Sequence, residues 1–180
     1  MIKLLVLLFL VYPLRVSAQT SIEFTGEDID FEIDSGRFSV KGIYCFFNLT
    51  DNEIKQTILF PFPENSDSVV VKRIYNLTYS ESIPYRCSKN ALTFKFAAHP
   101  GDTVKINIAY SQNSAKENVY ILKSAQTWGQ ALKWADFSLK VGKSVQIDSL
   151  SILPDSLKDN VYYWTRRDFF PEENFKVWLK

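Results

Sequence analysis

The chain is poor in histidine, cysteine and glycine. Its 180 residues include one His, two Cys and six Gly. Any catalytic triad or histidine metal cluster would have to be built around His99, which precedes the Pro-Gly pair of a predicted turn and which we interpret as a solvated turn residue. The serine-hydrolase patterns G-x-S-x-G and S-x-x-K are also absent. The sequence therefore predicts no catalytic site, no metal site and no cofactor.

An excess of charge of one sign is lacking too. Lys and Arg number 21, and Asp and Glu number 20, a balance that gives no support for binding to nucleic acid or to an anionic membrane. Beyond the N-terminus, no apolar run approaches the length that a membrane-spanning helix needs. We therefore expect no nucleic-acid partner and no membrane span, and the sequence leaves the oligomeric state open.

The N-terminus resembles a secretory signal peptide. Lys3 precedes the apolar residues 4–11, and Val16, Ser17 and Ala18 provide a small-residue cleavage site. Residue 19 is Gln, so the cysteine that would carry the lipid of a bacterial lipoprotein is missing. We predict a signal peptide over residues 1–18 and one domain over residues 19–180, exported to the periplasm or the extracellular space without a lipid anchor.

Both cysteines lie in the predicted mature chain. An oxidising compartment permits Cys45 and Cys87 to form a disulfide, which would stabilise the fold by roughly 4 kcal/mol if its geometry were unstrained. The alternative is two reduced residues, with Cys45 a small core residue in the apolar run 43–47. A redox-active pair is not expected, because C-x-x-C is absent.

Aromatic and β-branched residues stand in short runs between turn residues. The 14 Phe and nine Tyr favour strands. Ile29, Phe31 and Ile33 alternate with acidic residues, which is the period of a half-buried strand. Such runs number roughly nine. We predict an all-β fold, an antiparallel β-sandwich of immunoglobulin-like or jelly-roll-like type, with at most one or two short helical turns.

Turn residues also predict which strands are neighbours. Pro61 and Pro63 should end the strand 54–60, because proline cannot donate to a sheet ladder. Three antiparallel pairs are predicted, each around a turn: residues 37–49 with 54–60, residues 91–97 with 103–110, and residues 137–141 with 145–153.

Helical structure is predicted at two places at most. Residues 154–160 are predicted to form one helical turn. Trp128, Ala131, Leu132 and Ala135 have the spacing of a helical stripe, which Gly129 weakens, so that a short helix and an irregular crossover both fit.

Several short motifs resemble those of uncharacterised exported bacterial β-sandwich proteins. These motifs cover about half of the predicted mature chain. The resemblance implies an exported sandwich, and it brings no catalytic residues because that group has no known catalytic site. The motifs are residues 44–48 with the polar turn that follows them, Phe60-Pro61-Phe62-Pro63, residues 120–124 leading into Thr127-Trp128-Gly129, and residues 135–137.

The spacing of four alternating acidic residues is similar to that of a calcium loop, but two observations argue against such a loop. Asp28, Asp30, Glu32 and Asp34 have the required spacing, but Ile33 stands where an EF-hand needs Gly. Carboxylates on one face of an extended strand are also about 7 Å apart, too far to surround one ion. We interpret them as the charged outer face of an edge strand.

A pair of carboxylates for glycoside hydrolysis cannot be recognised from spacing, because the two groups meet only in three dimensions. Each carboxylate near the aromatic residues of the C-terminal half is more simply interpreted as a surface charge. The candidate members of such a pair are Asp136, Asp168, Glu172 and Glu173.

Large aromatic side chains are the candidate ligand contacts. Rigid aromatic rings stack on sugars and anchor protein partners, although sandwiches also bury such rings in their cores. Tyr162 and Trp164 should share one face of a strand, with Tyr163 on the other. The candidates are Trp128, Trp134, Tyr162, Tyr163, Trp164 and Trp178.

Two Asn-x-Thr sequences match the glycosylation sequon. They are Asn48-Leu49-Thr50 and Asn76-Leu77-Thr78. They matter for glycosylation only in a eukaryotic host, and the signal peptide and the resemblance favour a bacterium.

Together these observations predict an exported, non-catalytic binding or assembly module of the cell envelope, with a glycan or another exported protein as its ligand. One alternative is a hydrolase of cell-wall or other polysaccharide that uses a pair of the carboxylates above. A second is a structural accessory subunit of an envelope complex.

Overall fold

The computed structural model describes residues 21–34, 36–64 and 68–180, so the predicted signal peptide lies outside the described residues. The described chain is almost entirely β, which confirms the all-β class, but it contains more strands than the nine expected. One 3₁₀ helix, Leu122–Trp128, interrupts them. The strands are β1 (Ile22–Asp34), β2 (Arg37–Asn48), β3 (Ile54–Pro61), β4 (Val70–Asn76), β5 (Glu81–Ser82), β6 (Tyr85–Cys87), β7 (Ala91–Ala98), β8 (Thr103–Asn113), β9 (Glu117–Tyr120), β10 (Leu132–Val141), β11 (Ile147–Leu150), β12 (Ser156–Lys158), β13 (Val161–Phe169) and β14 (Phe175–Leu179).

The strands form one large and two small sheets. The large sheet has the order β12-β13-β10-β1-β2-β8-β4-β5. The small sheets have the orders β11-β14-β9 and β3-β7-β6, and we call them the β14 sheet and the β7 sheet. The prediction of a purely antiparallel fold is wrong at one place, because β1 and β10 pair in parallel.

All three predicted strand pairs are wrong, although the strands themselves exist. The turn after β7 forms as expected, with the amide of Asp102 donating to the carbonyl of His99 at 3.1 Å. Yet β7 lies in a small sheet and β8 in the large one. In the same way, β2 and β10 lie in the large sheet, while their predicted partners β3 and β11 lie in the small sheets. At each of these turns the chain crosses from one layer to the other, which local turn chemistry does not specify.

The helical predictions also differ from the structure. Residues 154–160 contain β12, an extended strand paired with β13, in place of a helical turn. The 3₁₀ helix ends at Trp128, where Gly129 adopts a φ of 74° that favours glycine. Because β10 begins at Leu132, the stripe at 128–135 is an irregular crossover that leads into a strand.

The core lies on one face of the large sheet. Ile29, Phe31 and Ile33 of β1 are buried there, while the acidic residues between them are exposed, as their alternation predicts. The strand is central, however, and not an edge strand, because β10 and β2 flank it. Phe31 stacks on Phe175 of the β14 sheet, with ring centroids 4.4 Å apart.

The β7 sheet covers the neighbouring part of the same face. Phe46 of β2 packs against Phe96, with ring centroids 5.1 Å apart, and Tyr44 meets the edge of Phe60 at 5.5 Å. The two small sheets therefore pack on different parts of the same face of the large sheet.

The two sequon asparagines are structural. Asn48 and Asn76 are both buried. The Asn48 amide donates to the carbonyls of Asn52, Ala98 and His99 at 2.8 to 3.0 Å, which ties the end of β2 to the β7–β8 turn. The same side chains accept hydrogen bonds from the amides two residues further on, at 2.9 and 3.1 Å.

The predicted disulfide does not form. Cys45 is buried in β2 of the large sheet, Cys87 is exposed in β6 of the β7 sheet, and both are free. Burial raises the pKa of the Cys45 thiol, an effect that the nearby Lys105 partly offsets. The Cys45 side chain lies on the face of β2 opposite to Tyr44 and Phe46, so Cys45 is buried without being part of the hydrophobic core cluster.

Among the described residues, no helix is both long and apolar enough to cross a membrane.

A close contact between β1 and β10 provides a test of the parallel pairing. A Cβ atom at Gly26 would lie 2.5 Å from the indole ring of Trp134, so Gly26→Ala should lower the free energy of unfolding by about 1–3 kcal/mol. In a Trp134→Ala background the same change should cost much less. Urea unfolding of the four proteins measures the coupling, and equal costs in both backgrounds would contradict the packing.

Candidate functional site

A β-bulge in β1 places one acidic residue inside the protein. The pairing register between β1 and β2 shifts between Phe24 and Gly26, so that Thr25 is the extra residue. Its hydroxyl donates to the carbonyl of Cys45 at 3.1 Å. Beyond the bulge, Glu27 falls in phase with Ile29 and faces the core, directly opposite Tyr44 of β2.

One tyrosine is hydrogen-bonded to the Glu27 carboxyl group, and a second tyrosine is hydrogen-bonded to the first. Glu27 is 2% exposed, and the hydroxyl of Tyr120 donates to its Oε2 at 3.1 Å. The hydroxyls of Tyr44 and Tyr120 are also 3.1 Å apart. When Glu27 is ionised, Tyr120 uses its one proton to bond with the carboxylate, and Tyr44 is then the donor in the second bond. Glu27 Oε1 is buried without a hydrogen-bond partner.

Burial keeps this carboxyl group neutral. It raises the pKa of Glu27 from 4.5 to about 8, against a smaller lowering by the Tyr120 hydrogen bond. Burial likewise raises the pKa of Tyr44 and of Tyr120 well above 10. At neutral pH Glu27 is therefore mostly protonated.

Glu27 lies at a cavity of about 490 Å³. The cavity occupies the gap between the two small sheets, with the inner face of the large sheet as its floor and the 3₁₀ helix along one side. Its exposed lining residues, Thr57, Leu59 and Thr127, mark the mouth. The cavity is lined by Phe24, Glu27, Tyr44, Phe46, Gln56, Thr57, Ile58, Leu59, Phe60, Pro61, Phe94, Ile108, Tyr120, Leu122, Ser124, Ala125, Thr127 and Trp128.

The lining is aromatic, and its deep polar groups belong to the Glu27 cluster. Polar side chains elsewhere lie towards the mouth, where the hydroxyls of Ser124 and Thr127 donate to carbonyls of Ile121 and Ser124 at 2.8 and 2.7 Å. No Lys, Arg or His stands among the described lining residues. An anionic ligand would therefore meet a carboxyl group with no positive charge to balance it.

Of the six aromatic residues proposed from the sequence, Trp128 lines this cavity. Its ring lies 5.9 Å from that of Phe24 and 5.5 Å from that of Phe46. Trp134 lies on the opposite face of the large sheet, against Gly26. The structure therefore separates these two tryptophans.

The other four belong to β13 and β14. Trp164 is 1% exposed, and its indole N–H donates to the carbonyl of Ile152 at 3.1 Å. Tyr162 packs beside it, with ring centroids 6.3 Å apart, while Tyr163 faces solvent, as the strand alternation predicts. The Lys176 ammonium lies 5.7 Å from the half-buried ring of Trp178. A ligand-binding role for these four stays a prediction.

The charged candidates lie elsewhere as well. The hydroxyl of Ser138 donates to Asp30 at 2.7 Å, and Lys140 pairs with Glu32 at 2.8 Å. Asp136 pairs with Arg167 at 2.9 Å. Within residues 21–34, 36–64 and 68–180, no group of three His, Cys, Asp or Glu side chains is placed to hold a metal ion.

His99 is a turn residue in the structure. It is exposed and lies 3.5 Å from the carboxylate of Glu53. This confirms the interpretation of the sequence.

Sequence reasoning missed the site because no motif marks it. The alternation of β1 is the signal that could have found the site. Buried residues occupy odd-numbered positions in this strand, and Glu27 is the odd-numbered residue that precedes Ile29. Tyr44 and Tyr120 stand inside motifs that we quoted for their resemblance to other proteins. Tyr44 meets Glu27 through the pairing of β1 with β2, and Tyr120 meets it because the β14 sheet lies over these strands.

The sequence matches no family model and no curated protein. The fold resembles several solved structures. One is a Legionella pneumophila protein provisionally named a nutrient binding protein, with a TM-score of 0.66, 15% identity, and alignment over 88% of this chain and 67% of that chain.

Two further similar structures are enzymes. An M1 zinc metallopeptidase from Deinococcus radiodurans has a TM-score of 0.54 and 10% identity over 89% of this chain and 43% of its own. Leukotriene A4 hydrolase from Saccharomyces cerevisiae has a TM-score of 0.54 and 10% identity over 90% of this chain and 30% of its own. This chain thus spans less than half the length of either enzyme. At these identities the likeness concerns the fold alone.

The buried carboxyl group predicts an unusual dependence of stability on pH. The pKa of Glu27 is about 8 when folded and near 4.5 when unfolded, so the unfolded chain binds fewer protons between these values. The free energy of unfolding should therefore fall as pH rises from about 4.5 to 8, by up to about 1.4 kcal/mol per pH unit from this group. Glu27→Gln should remove that slope and be the more stable protein at pH 8.

Urea unfolding at several pH values measures the effect. Glu32→Gln is the matched control, because Glu32 is an exposed residue of the same strand, and it should keep the slope. Parallel profiles for the native protein and Glu27→Gln would contradict the prediction.

Proposed function

We propose that this protein is an exported, non-catalytic binding protein that holds a small, largely apolar molecule in the cavity at Glu27. The observation that carries the proposal is an aromatic cavity of about 490 Å³ whose lining includes Glu27, a buried acid with one carboxyl oxygen that has no hydrogen-bond partner.

The size and lining of the cavity suit such a ligand. Small-molecule sites typically have about 300–1,000 Å³ and apolar walls with a few polar groups that orient the ligand. Here the orienting group is Glu27 with its two tyrosines. A buried polar atom without a partner costs about 1–3 kcal/mol, a cost that a ligand able to bond with Oε1 would remove.

The cavity favours a small molecule over a glycan, the ligand first expected from the aromatic residues. A sugar ring carries hydroxyls around its circumference, and each would need a partner when buried. Deep in this cavity the polar side chains are those of Glu27, Tyr44 and Tyr120. A protein partner or an assembly role would use a surface and not this cavity.

The hydrolase alternative has less support. Glycoside hydrolysis uses two carboxyl groups on either side of the scissile bond. Glu27 is the one carboxyl group among the described lining residues, and Asp136, Asp168, Glu172 and Glu173 do not line the cavity.

Two further observations support the proposal. The similar Legionella pneumophila protein is provisionally named a nutrient binding protein, a role that a ligand cavity of this kind would serve. Export to the periplasm or the extracellular space is proposed from the signal-peptide pattern of residues 1–18.

Binding of a neutral, apolar fluorescent probe, N-phenyl-1-naphthylamine, tests the proposal. Its fluorescence should rise when it enters the cavity. Ala125→Phe, which adds a ring to a buried lining residue, should weaken binding at least tenfold, and Thr57→Trp at the mouth should weaken it without any change in the core.

Ala115→Phe is the matched control, because Ala115 is exposed and does not line the cavity. It should bind the probe as the native protein does. The proposal would be contradicted if the native protein caused no change in fluorescence. It would also be contradicted if both cavity variants bound the probe as tightly as the native protein does.

A further inference from the structure

We propose that the ligand of this cavity is an organic amine, bound as its ammonium ion. The ammonium group pairs with the carboxylate of Glu27, and the carbon skeleton lies among the aromatic rings. This inference rests on the proposed function, since it names the chemical class of ligand for the same site.

With Glu27 ionised, the hydrogen-bond network of the site leaves acceptors and no donors. Tyr44 donates to Tyr120, and Tyr120 donates to Glu27 Oε2. Both phenolic protons are therefore used within the cluster. Glu27 Oε1 and the remaining lone pairs of Tyr44 are left to the ligand. A group that carries several N–H donors and no acceptor, such as an ammonium ion, matches that arrangement.

Three rings beside the cluster form a surface that suits a cation. The rings of Phe24, Phe46 and Trp128 lie 5.1 to 5.9 Å from one another and all line the cavity. The faces of aromatic rings carry negative partial charge, and tryptophan attracts cations most strongly. Together with a carboxylate, such rings stabilise a positive charge that has lost its water.

The electrostatic surroundings contain no competing cation. Tyr44 of the large sheet faces Glu27, and Tyr110 lies beyond Tyr44. Tyr120 faces Glu27 from the β14 sheet. The lining residues of β3, β7 and the 3₁₀ helix include no ionisable side chain. Burial raises the pKa of all three tyrosines, so they stay neutral. Glu27 is therefore the one group of this cluster that can change charge near neutral pH.

Binding then exchanges one cation for another. An ammonium ion enters, the carboxyl proton of Glu27 leaves to solvent, and the product is an ammonium–carboxylate pair with one proton released. No bond of the ligand is made or broken. A neutral alcohol of the same shape would bind to the protonated acid and release no proton.

The experiment compares 4-phenylbutylamine with 4-phenylbutanol, two molecules of nearly equal shape that differ in charge. Calorimetric titration in buffers of different ionisation enthalpy, between pH 6 and 9, yields the affinity and the number of protons released. With a Glu27 pKa of about 8, the amine should release about 0.9 proton at pH 7. Its Kd should improve about tenfold from pH 6 to 7 and level off above pH 8. The alcohol should show neither effect.

Two variants locate the effect. In Glu27→Gln the amine should bind at least tenfold more weakly at pH 8 and release no proton, while the alcohol binds within a few-fold of its native affinity. Glu32→Gln, on the exposed face of the same strand, should behave as the native protein. Retained alcohol binding shows that the Glu27→Gln cavity is intact.

The outcomes separate this inference from the proposed function. If the alcohol binds and the amine binds no better and releases no proton, the ligand class is wrong and the cavity is still a binding site. If neither compound nor N-phenyl-1-naphthylamine binds, both proposals are wrong.

Discussion

The inner face of the large sheet must be covered, and the way it is covered shapes the rest of the molecule. Six of its eight strands, all except the edge strands β12 and β5, present buried side chains, and such a surface is stable only against another apolar layer. Two three-stranded sheets supply the layer, one over Phe31 and one over Phe46. Because they are separate sheets, a gap remains between them, and that gap is the cavity.

The cavity is lined by a residue that opposes the stability of the core. Glu27 occupies a position in β1 where its neighbours in phase are Ile29 and Phe31, and its burial raises the pKa to about 8. An apolar residue there would avoid the cost of burying a carboxyl group. Acidic groups placed in this way cluster at functional sites, which is why the proposals rest on this residue and its two tyrosines, and not on the more conspicuous aromatic residues of β13.

Much of the local structure could be predicted from the sequence, because it depends on short-range patterns. The alternation in β1, the end of β3 at its prolines, the solvated turn at His99 and the opposite faces of Tyr163 and Trp164 follow from side-chain periodicity and turn chemistry. The pairing of strands did not follow. A turn such as that at Pro100 shows that the chain reverses, but whether the next strand joins the same sheet or the opposite one depends on which apolar faces need covering.

The sequence by itself determined that the chain is β-rich, where most strands lie, and which residues of each strand are apolar, because these depend on periodicity over a few residues. Only the tertiary structure decided that β1 and β10 are parallel neighbours, that Cys45 and Cys87 stay apart, and that Glu27 meets Tyr44 and Tyr120. Tyr120 is 93 residues from Glu27 along the chain. The contact exists because a one-residue bulge turns Glu27 inward and a separate sheet carries Tyr120 over it, and neither event leaves a local pattern in the sequence.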